Sequence, residues 1–278
     1  MALNADMKER RRTMVFIPAY RCETQIPRVL NQLKNDRFAG LIDLVMVVDN
    51  ISPDATRERA RDAASELDIP WRVWRNENNY GLGGSHKTAF AYAKANAFDY
   101  LIVLHGDDQA DIRDILPALE SGQAYEPDCY LGSRFSKGSQ LQCYSRFREF
   151  GNRVYNLLFS IACGAKVQDL GSGLNMYRLS KIDLKAISTF PDNLTFNYVM
   201  LMHSLYVGDN VKFFPMTWRE EDQASNVRLF RQAVKVLSLL ANRAFAPKAF
   251  FKRDHREKSF DVYAGEVVYA SADVAAGV

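Results

Sequence analysis

Short apolar runs alternate along the chain with longer stretches in which apolar side chains return every third or fourth position. This alternation predicts strand–helix units building a largely parallel sheet, an α/β fold. Met14 to Pro18 reads as a first strand, and Ile26, Val29, Leu30 and Leu33 then fall at the spacing of a helix with one buried face. Asp43 to Asp49 (DLVMVVD) reads as a buried strand, the SPD at 52–54 as a turn, and ATRERARDAASEL as a charged surface helix. Trp71 to Arg75 makes a third strand. A loop NNYGLGGS precedes a helix through TAFAYAKANA, and Tyr100 to Leu104 (YLIVL) is a fourth strand that stops at His105 and Gly106. Cys129 to Gly132 reads as a fifth. Beyond residue 140 the pattern predicts a long helix through EFGNRVYNLLFSIACG, a polar loop QDLGSG, a helix after Asn193, a strand VKFFP and a final basic helix. From Asp254 onward periodicity is lost, and the pattern assigns no structure there. The expectation is one domain over 1–245 with a helical, basic and aromatic C-terminal extension over 246–278.

Composition narrows the class without naming a chemistry. Of 278 residues, 47% are hydrophobic and 25% charged, which excludes global disorder. A net charge of +3 is too mild for a dedicated nucleic-acid binder, whereas weak attraction to anionic membrane surfaces stays open. The longest stretch without charge, Asn193 to Gly208, contains polar residues and falls short of the roughly 20 apolar residues of a spanning helix. The N-terminal region has no secretory pattern, so a cytoplasmic protein is expected, with at most peripheral membrane contact. Cys22, Cys129, Cys143 and Cys163 form no CxxC pair and read as reduced packing thiols rather than zinc ligands.

The chemistry-bearing residues gather where strands end, the place at which open α/β sheets bind ligands. PAYRCE, VVDNISPD, NENNYGLGG and HGDDQAD follow the first four strands in turn. Carboxylates and an amide at a strand tip suit an oxygen shell for Mg²⁺ or Mn²⁺. The same residues, Asp107, Asp108 and Asp111, equally suit capping of the next helix. Among the histidines, His203 reads as a core residue, His86 as a partner of its own loop and His255 as solvated. Phe213, Phe214 and Trp218 read as core, and Phe245, Phe250 and Phe251, interleaved with Lys248, Lys252 and Arg253, suit either packing or a membrane surface.

Taken in order over residues 13 to 240, these clusters resemble the inverting glycosyltransferase family 2, of the GT-A fold, and within it the polyprenyl-phosphate sugar synthases. PAYRCE is similar to the family's PxYNE element, VVDNISPD to VDDGSxD, NNYGLGGS to its Asn and Gly loop, and HGDDQAD to DADLQHP. QDLGSGLNMYR resembles D-x-x-SGF-R, and WREEDQASNVR more loosely R-x-x-G-x-S-K. One departure stands out: His105 occupies the first acidic position of the DADLQHP element. The resemblance implies a metal held by Asp107 and Gln109, and a donor pocket formed by Pro18, Tyr20, Glu23, Asp49, Asn50, Gly81 and His105. It also implies charge compensation by Arg219 and Arg228. On the acceptor side it implies Asp169 as a base for a hydroxyl, or Ser133, Arg134, Arg146, Arg148 and Ser172 as the grip on a polyprenyl phosphate. The implied reaction is metal-dependent transfer of a sugar, with inversion, from a UDP- or GDP-sugar to a polyprenyl phosphate. The alternatives are transfer to a sugar hydroxyl, and a sugar-nucleotide-binding protein without catalysis. A nucleotidyltransferase would instead carry a glycine-rich basic loop after its first strand, which PAYRCETQ is not.

Overall fold

The computed structural model describes residues 11–220 and 229–272. Every residue of the first two strands, β1 (Thr13–Ala19) and β2 (Leu44–Asp49), is buried. Strands of this kind need cover on both faces. In β1, Val15, Ile17 and Ala19 enter one core while Met14 and Phe16 enter the other, and β2 divides Val45 and Val47 from Leu44, Met46 and Val48 in the same way. The helices α1 (Ile26–Asn31) and α2 (Thr56–Ala64) cover the first face through Ile26, Val29, Leu30, Ala60 and Ala64. After β3 (Trp71–Asn76), helix α3 (Gly81–Ala95) covers the second through Ala89, Phe90 and Ala93.

Strands β4 (Tyr100–Leu104) and β5 (Cys129–Ser133) follow as the pattern predicts, with the short helix α4 (Leu116–Ser121) between them. Next come β6 (Gln140–Gln142), the long helix α5 (Arg146–Cys163), β7 (Leu174–Arg178), α6 (Leu184–Ser188), α7 (Phe196–Val207), β8 (Val211–Pro215) and β9 (Thr217–Arg219). Helices α8 (Leu229–Phe245) and α9 (Pro247–Lys252) lead to a last strand, β10 (Gly265–Ala270). The main sheet has the order β10-β3-β2-β1-β4-β7-β5-β8, and β6 pairs with β9 in a separate two-stranded sheet. Because β1 pairs in parallel with both β2 and β4, chain progression reverses across it and a crevice opens at the carboxyl ends of these strands.

Three features depart from the expected pattern. Strand β7 lies antiparallel between β4 and β5, where the sequence suggested only the end of a loop. Its alternation is masked because Asn175 is buried too, bonded to Ser172. The glycines of GLGGS form the first turn of α3 rather than a loop. A Cβ on Gly83 would stand 2.2 Å from the Pro191 carbonyl, and Gly83 N donates to the Asp192 carbonyl at 2.8 Å, so only glycine permits the close docking. Finally, the tail to which the pattern assigns no structure supplies β10, antiparallel to β3 at the sheet edge. In the preceding segment His255 is half-buried against Phe250 rather than solvated, with its amide donating to the Thr189 carbonyl. Phe250 is buried and Phe251 packs edge-on against His203 and tilted against Tyr206, leaving only Phe245 of the three phenylalanines exposed.

Candidate active site

A cleft of about 450 Å³ opens over the carboxyl ends of β1, β2 and β4, lined by Pro18, Tyr20, Asn50, Gly81, His105 and Asp107. Its rim is built from backbone held in a costly conformation. Arg21, Ile51 and Asp108, one in each loop that leaves β1, β2 and β4, have φ of 52°, 59° and 59°. Such left-handed backbone costs about 1–3 kcal/mol per non-glycine residue and concentrates at functional sites. Asn50 fastens the floor: its Oδ1 accepts from Asn76 Nδ2 (3.1 Å) and the Tyr80 amide (2.9 Å), and its Nδ2 donates to Asn79 Oδ1 (2.8 Å). Asp49 is wholly buried, accepts from the Ser52 amide and lies 3.6 Å from Arg57. Burial pushes its carboxyl above the ordinary value, against those two partners. Glu23 lies outside the cleft lining and accepts from the Ala55 amide at 2.9 Å, at the start of α2.

The loop after β4 separates two neighbouring carboxylates. Asp108 turns away from the cleft and accepts from Arg28 Nε (2.6 Å) and Gln32 Nε2 (2.9 Å). Asp107 faces the cleft, and its Oδ1 accepts from the Gln109 amide at 3.2 Å. His105, also on the cleft, has its Nε2 buried without a hydrogen-bond partner among the described residues. Burial lowers its pKa against the opposing pull of Asp107. No three His, Cys, Asp or Glu groups among the described residues form a closed cage. Mg²⁺ and Mn²⁺ bound with a diphosphate need only one or two protein carboxylates, so the Asp107 oxygens and the orphaned His105 nitrogen fit a partial shell. Arg219 stands beside this loop, its amide donating to the Gln109 carbonyl (2.9 Å) and its guanidinium paired with Asp111. Burial works to raise Asp111, but the hydrogen bonds and charge of Arg113, with Arg219, bring its pKa below the usual value.

On the far side of β7 the two residues assigned separate tasks form one unit. Arg134 Nε and Nη2 donate to Asp169 Oδ2 and Oδ1 at 2.8 and 2.7 Å, and the Arg134 amide donates to Oδ2 at 2.8 Å. Both side chains are buried, and the Gly171 amide adds a further bond to Asp169 Oδ1. Although burial opposes it, Asp169 holds the Arg134 guanidinium above its usual pKa. Neither group therefore presents itself as a free base or a free phosphate grip. Ser133 Oγ accepts from the Phe135 amide, and Ser172 Oγ donates to Asn175 Oδ1 (3.0 Å). Arg148 Nη1 pairs with Glu220 (2.6 Å), while Arg146 is exposed at the start of α5. Arg228, with most of WREEDQASNVR, lies outside the described residues.

The family model described as "Glycosyl transferase family 2" matches residues 14–183, more than half of the chain. The chain belongs to glycosyl transferase family 2. It is 26% identical over 214 residues to an undecaprenyl-phosphate mannosyltransferase of Micrococcus luteus, covering 76% of this chain and 85% of that protein. It is 23% identical over 236 residues to a polyprenol monophosphomannose synthase of Mycolicibacterium smegmatis, covering 81% and 86%. Among solved structures, glucosyl-3-phosphoglycerate synthase of Mycobacterium tuberculosis, in complex with Mn²⁺, UDP and phosphoglyceric acid, superposes with a TM-score of 0.60. That match has 16% identity and covers 86% of this chain and 80% of the other, so it speaks for the GT-A fold.

As a family 2 glycosyltransferase, the chain has its first four motif clusters on one side of the sheet, and all four contribute to the cleft lining. Asn79, Leu82, Ser85, Asn193 and Leu194 also line the cleft. Asn79 was within reach of sequence reasoning, since it lies in the NNYGLGG segment already singled out. Asn193 and Leu194 carried no signal. They reach the cleft because Gly81 and Gly83 let α3 dock on the backbone at Pro191 and Asp192.

Proposed function

We propose that this glycosyltransferase moves a hexose, with inversion, from a nucleoside-diphosphate sugar onto the phosphate of a polyprenyl phosphate. The observation that carries the donor half is the cleft at the β1 switch point, with Asp107 and His105 on its wall. The acceptor half is supported by two relatives whose names specify undecaprenyl phosphate and polyprenol, and the same names favour mannose as the sugar. Asp107, assisted by Gln109 and His105, would hold a divalent cation, whose chemistry is to neutralise the charge that gathers on the departing diphosphate. Pro18, Tyr20, Asn50 and Gly81 shape the wall against which base and ribose would lie, and Asn50 is rigid because its own bonds are satisfied within the protein. Asp49 and Glu23 act one layer out, setting the turns that shape that wall.

The acceptor phosphate is already an anion, so its oxygen attacks the anomeric carbon as the bond to the diphosphate breaks, and no base is needed. The Arg134–Asp169 pair then positions the acceptor loop. Of the arginines first assigned to the phosphate, Arg146 is the exposed one. Purified protein incubated with GDP-mannose, UDP-glucose and related donors, Mn²⁺ and a short-chain polyprenyl phosphate should form a polyprenyl-phosphate hexose, detected by mass spectrometry. Transfer exclusively to a free sugar or glycan hydroxyl would overturn the reading, and so would donor binding without transfer to any acceptor.

A further inference from the structure

The outer side of α5 is apolar and, among the described residues, uncovered. Phe147, Phe150, Val154, Leu157, Leu158 and Ile161 are exposed, and four of them are 79, 68, 60 and 71% so in the order Phe147, Phe150, Leu157, Ile161. At 3.6 residues per turn their directions fall within an arc of about 100°. The inner side of the same helix is packed: Asn156 and Phe159 are buried, and Ser160 Oγ accepts from the Val167 amide. A contiguous apolar stripe on a helix already seated in the fold marks an interaction surface rather than stray exposure. Its margin carries Arg146, exposed, and Arg153, exposed and paired with Glu149 at 2.8 Å, along one side, with Lys166 exposed just past the end of α5. Near that end, Arg243 Nη1 donates to the Ala162 carbonyl at 2.6 Å, and two residues further on Phe245 is 90% exposed.

We propose that this face is where the protein lies on an anionic lipid bilayer, with the α5 stripe immersed at the headgroup boundary and Arg146, Arg153 and Lys166 among the lipid phosphates. Apolar side chains on one face with cationic ones at its margin are the chemistry of an interfacial helix. The occupant also suits the site behind the helix. Asn156 Nδ2, on the inner side, donates to the Gln168 carbonyl at 2.7 Å, directly before Asp169. Docking α5 therefore brings the Arg134–Asp169 pair to about one helix diameter, roughly 10 Å, from the lipid surface. A membrane-held prenyl phosphate could meet the loop there. This step rests on the acceptor proposed above.

Sedimentation of the full chain with phosphatidylcholine vesicles, with and without phosphatidylglycerol and with no donor present, tests the docking face. The expected result is binding that phosphatidylglycerol strengthens and that high salt weakens without abolishing, since apolar insertion is not screened. The double variant Phe150→Ser, Ile161→Ser should lower partitioning at least about tenfold, because it removes two immersed apolar side chains. The same variant should keep wild-type transfer to a short, water-soluble polyprenyl phosphate, which shows that it folds. Absent vesicle binding, or binding unchanged in the double variant, would overturn the proposal. So would a concentration-dependent dimer that the double variant dissociates, which would assign the stripe to a second copy. Vesicle binding without transfer to the short acceptor supports the docking face and overturns only the acceptor reading.

Discussion

Asp107 and Asp108 are adjacent carboxylates with different surroundings: one faces the cleft, the other is held by Arg28 and Gln32. Asp107→Asn should lower transfer by about 10²–10³, the usual loss when a group that stabilises developing charge is removed, while the melting temperature stays within a few degrees of wild type. Asp108→Asn should lower thermal stability more than it lowers transfer, because it loosens the loop's tie to α1. Side-by-side rates and melting curves decide this, and equal loss of transfer in both would place the metal-facing carboxylate elsewhere. A second residue-scale expectation follows from the buried Arg134–Asp169 pair. Breaking a buried pair strands one charge and costs about 3–5 kcal/mol. Arg134→Ala should therefore show that loss in urea unfolding. Asp169→Asn strands the guanidinium instead and should be similarly destabilising, so its lost transfer tracks lost folding rather than lost base catalysis. A fully stable Asp169→Asn with transfer reduced a hundredfold would restore the carboxylate to the role of base.

At the scale of elements, the segment after α9 acts as a strap behind the cleft. Tyr263 OH donates to Asp192 Oδ1 (2.8 Å) and accepts from Lys87 Nζ (2.9 Å), and its ring packs edge-on against Tyr80. The Ala264 amide donates to Tyr80 OH at 3.1 Å, and β10 then joins β3. Burial lowers the Lys87 pKa despite the Asp192 charge beside it. Tyr80 sits at the start of α3, and Asp192 adjoins cleft residues Asn193 and Leu194, so the strap holds both walls. Tyr263→Ala should cost about 2–4 kcal/mol through a lost half-buried ring and lost hydrogen bonds, and should raise the KM for donor more than it changes kcat. A changed melting temperature with an unchanged donor KM would make the strap a stabiliser only.

Across the whole molecule, stability is tied to keeping histidines neutral. His86 is buried between Phe16 and Phe196 with Nδ1 bonded to the Leu82 carbonyl, and burial, aided by nearby His105, lowers its pKa to about 3. The unfolded chain binds this proton below about pH 6.5 and the folded one does not. This contribution is thus fully present above pH 6.5 and is lost as pH falls from there toward 3, at up to about 1.4 kcal/mol per pH unit. Urea midpoints between pH 6.5 and 5 should fall for wild type, and the slope should be smaller by that amount in His86→Leu. Equal slopes would mean that His86 charges within the folded state.

The strands Met14 to Pro18, Asp43 to Asp49 and Tyr100 to Leu104, and the chemistry at their carboxyl ends, were legible in the chain itself, because a strand covered on both faces must be an unbroken apolar run with its polar residues at the tip. The clusters at those strand tips are the residues on which the resemblance to family 2 rests. What periodicity could not carry were β7 and β10, whose side chains become buried or paired only beside strands distant in sequence. Nor could it carry the contrast between Asp107 and Asp108, which depends on Arg28 and Gln32 arriving from α1. Arg134 and Asp169 each looked available when read alone. The closing of β5 beside β7 brought them together and removed both from water. The sequence predicts the long helix that carries the α5 stripe but not which of its sides turns outward. It is the packing of the opposite side against the QDLGSG loop that leaves the stripe outward, since a helix can turn only one side to the core.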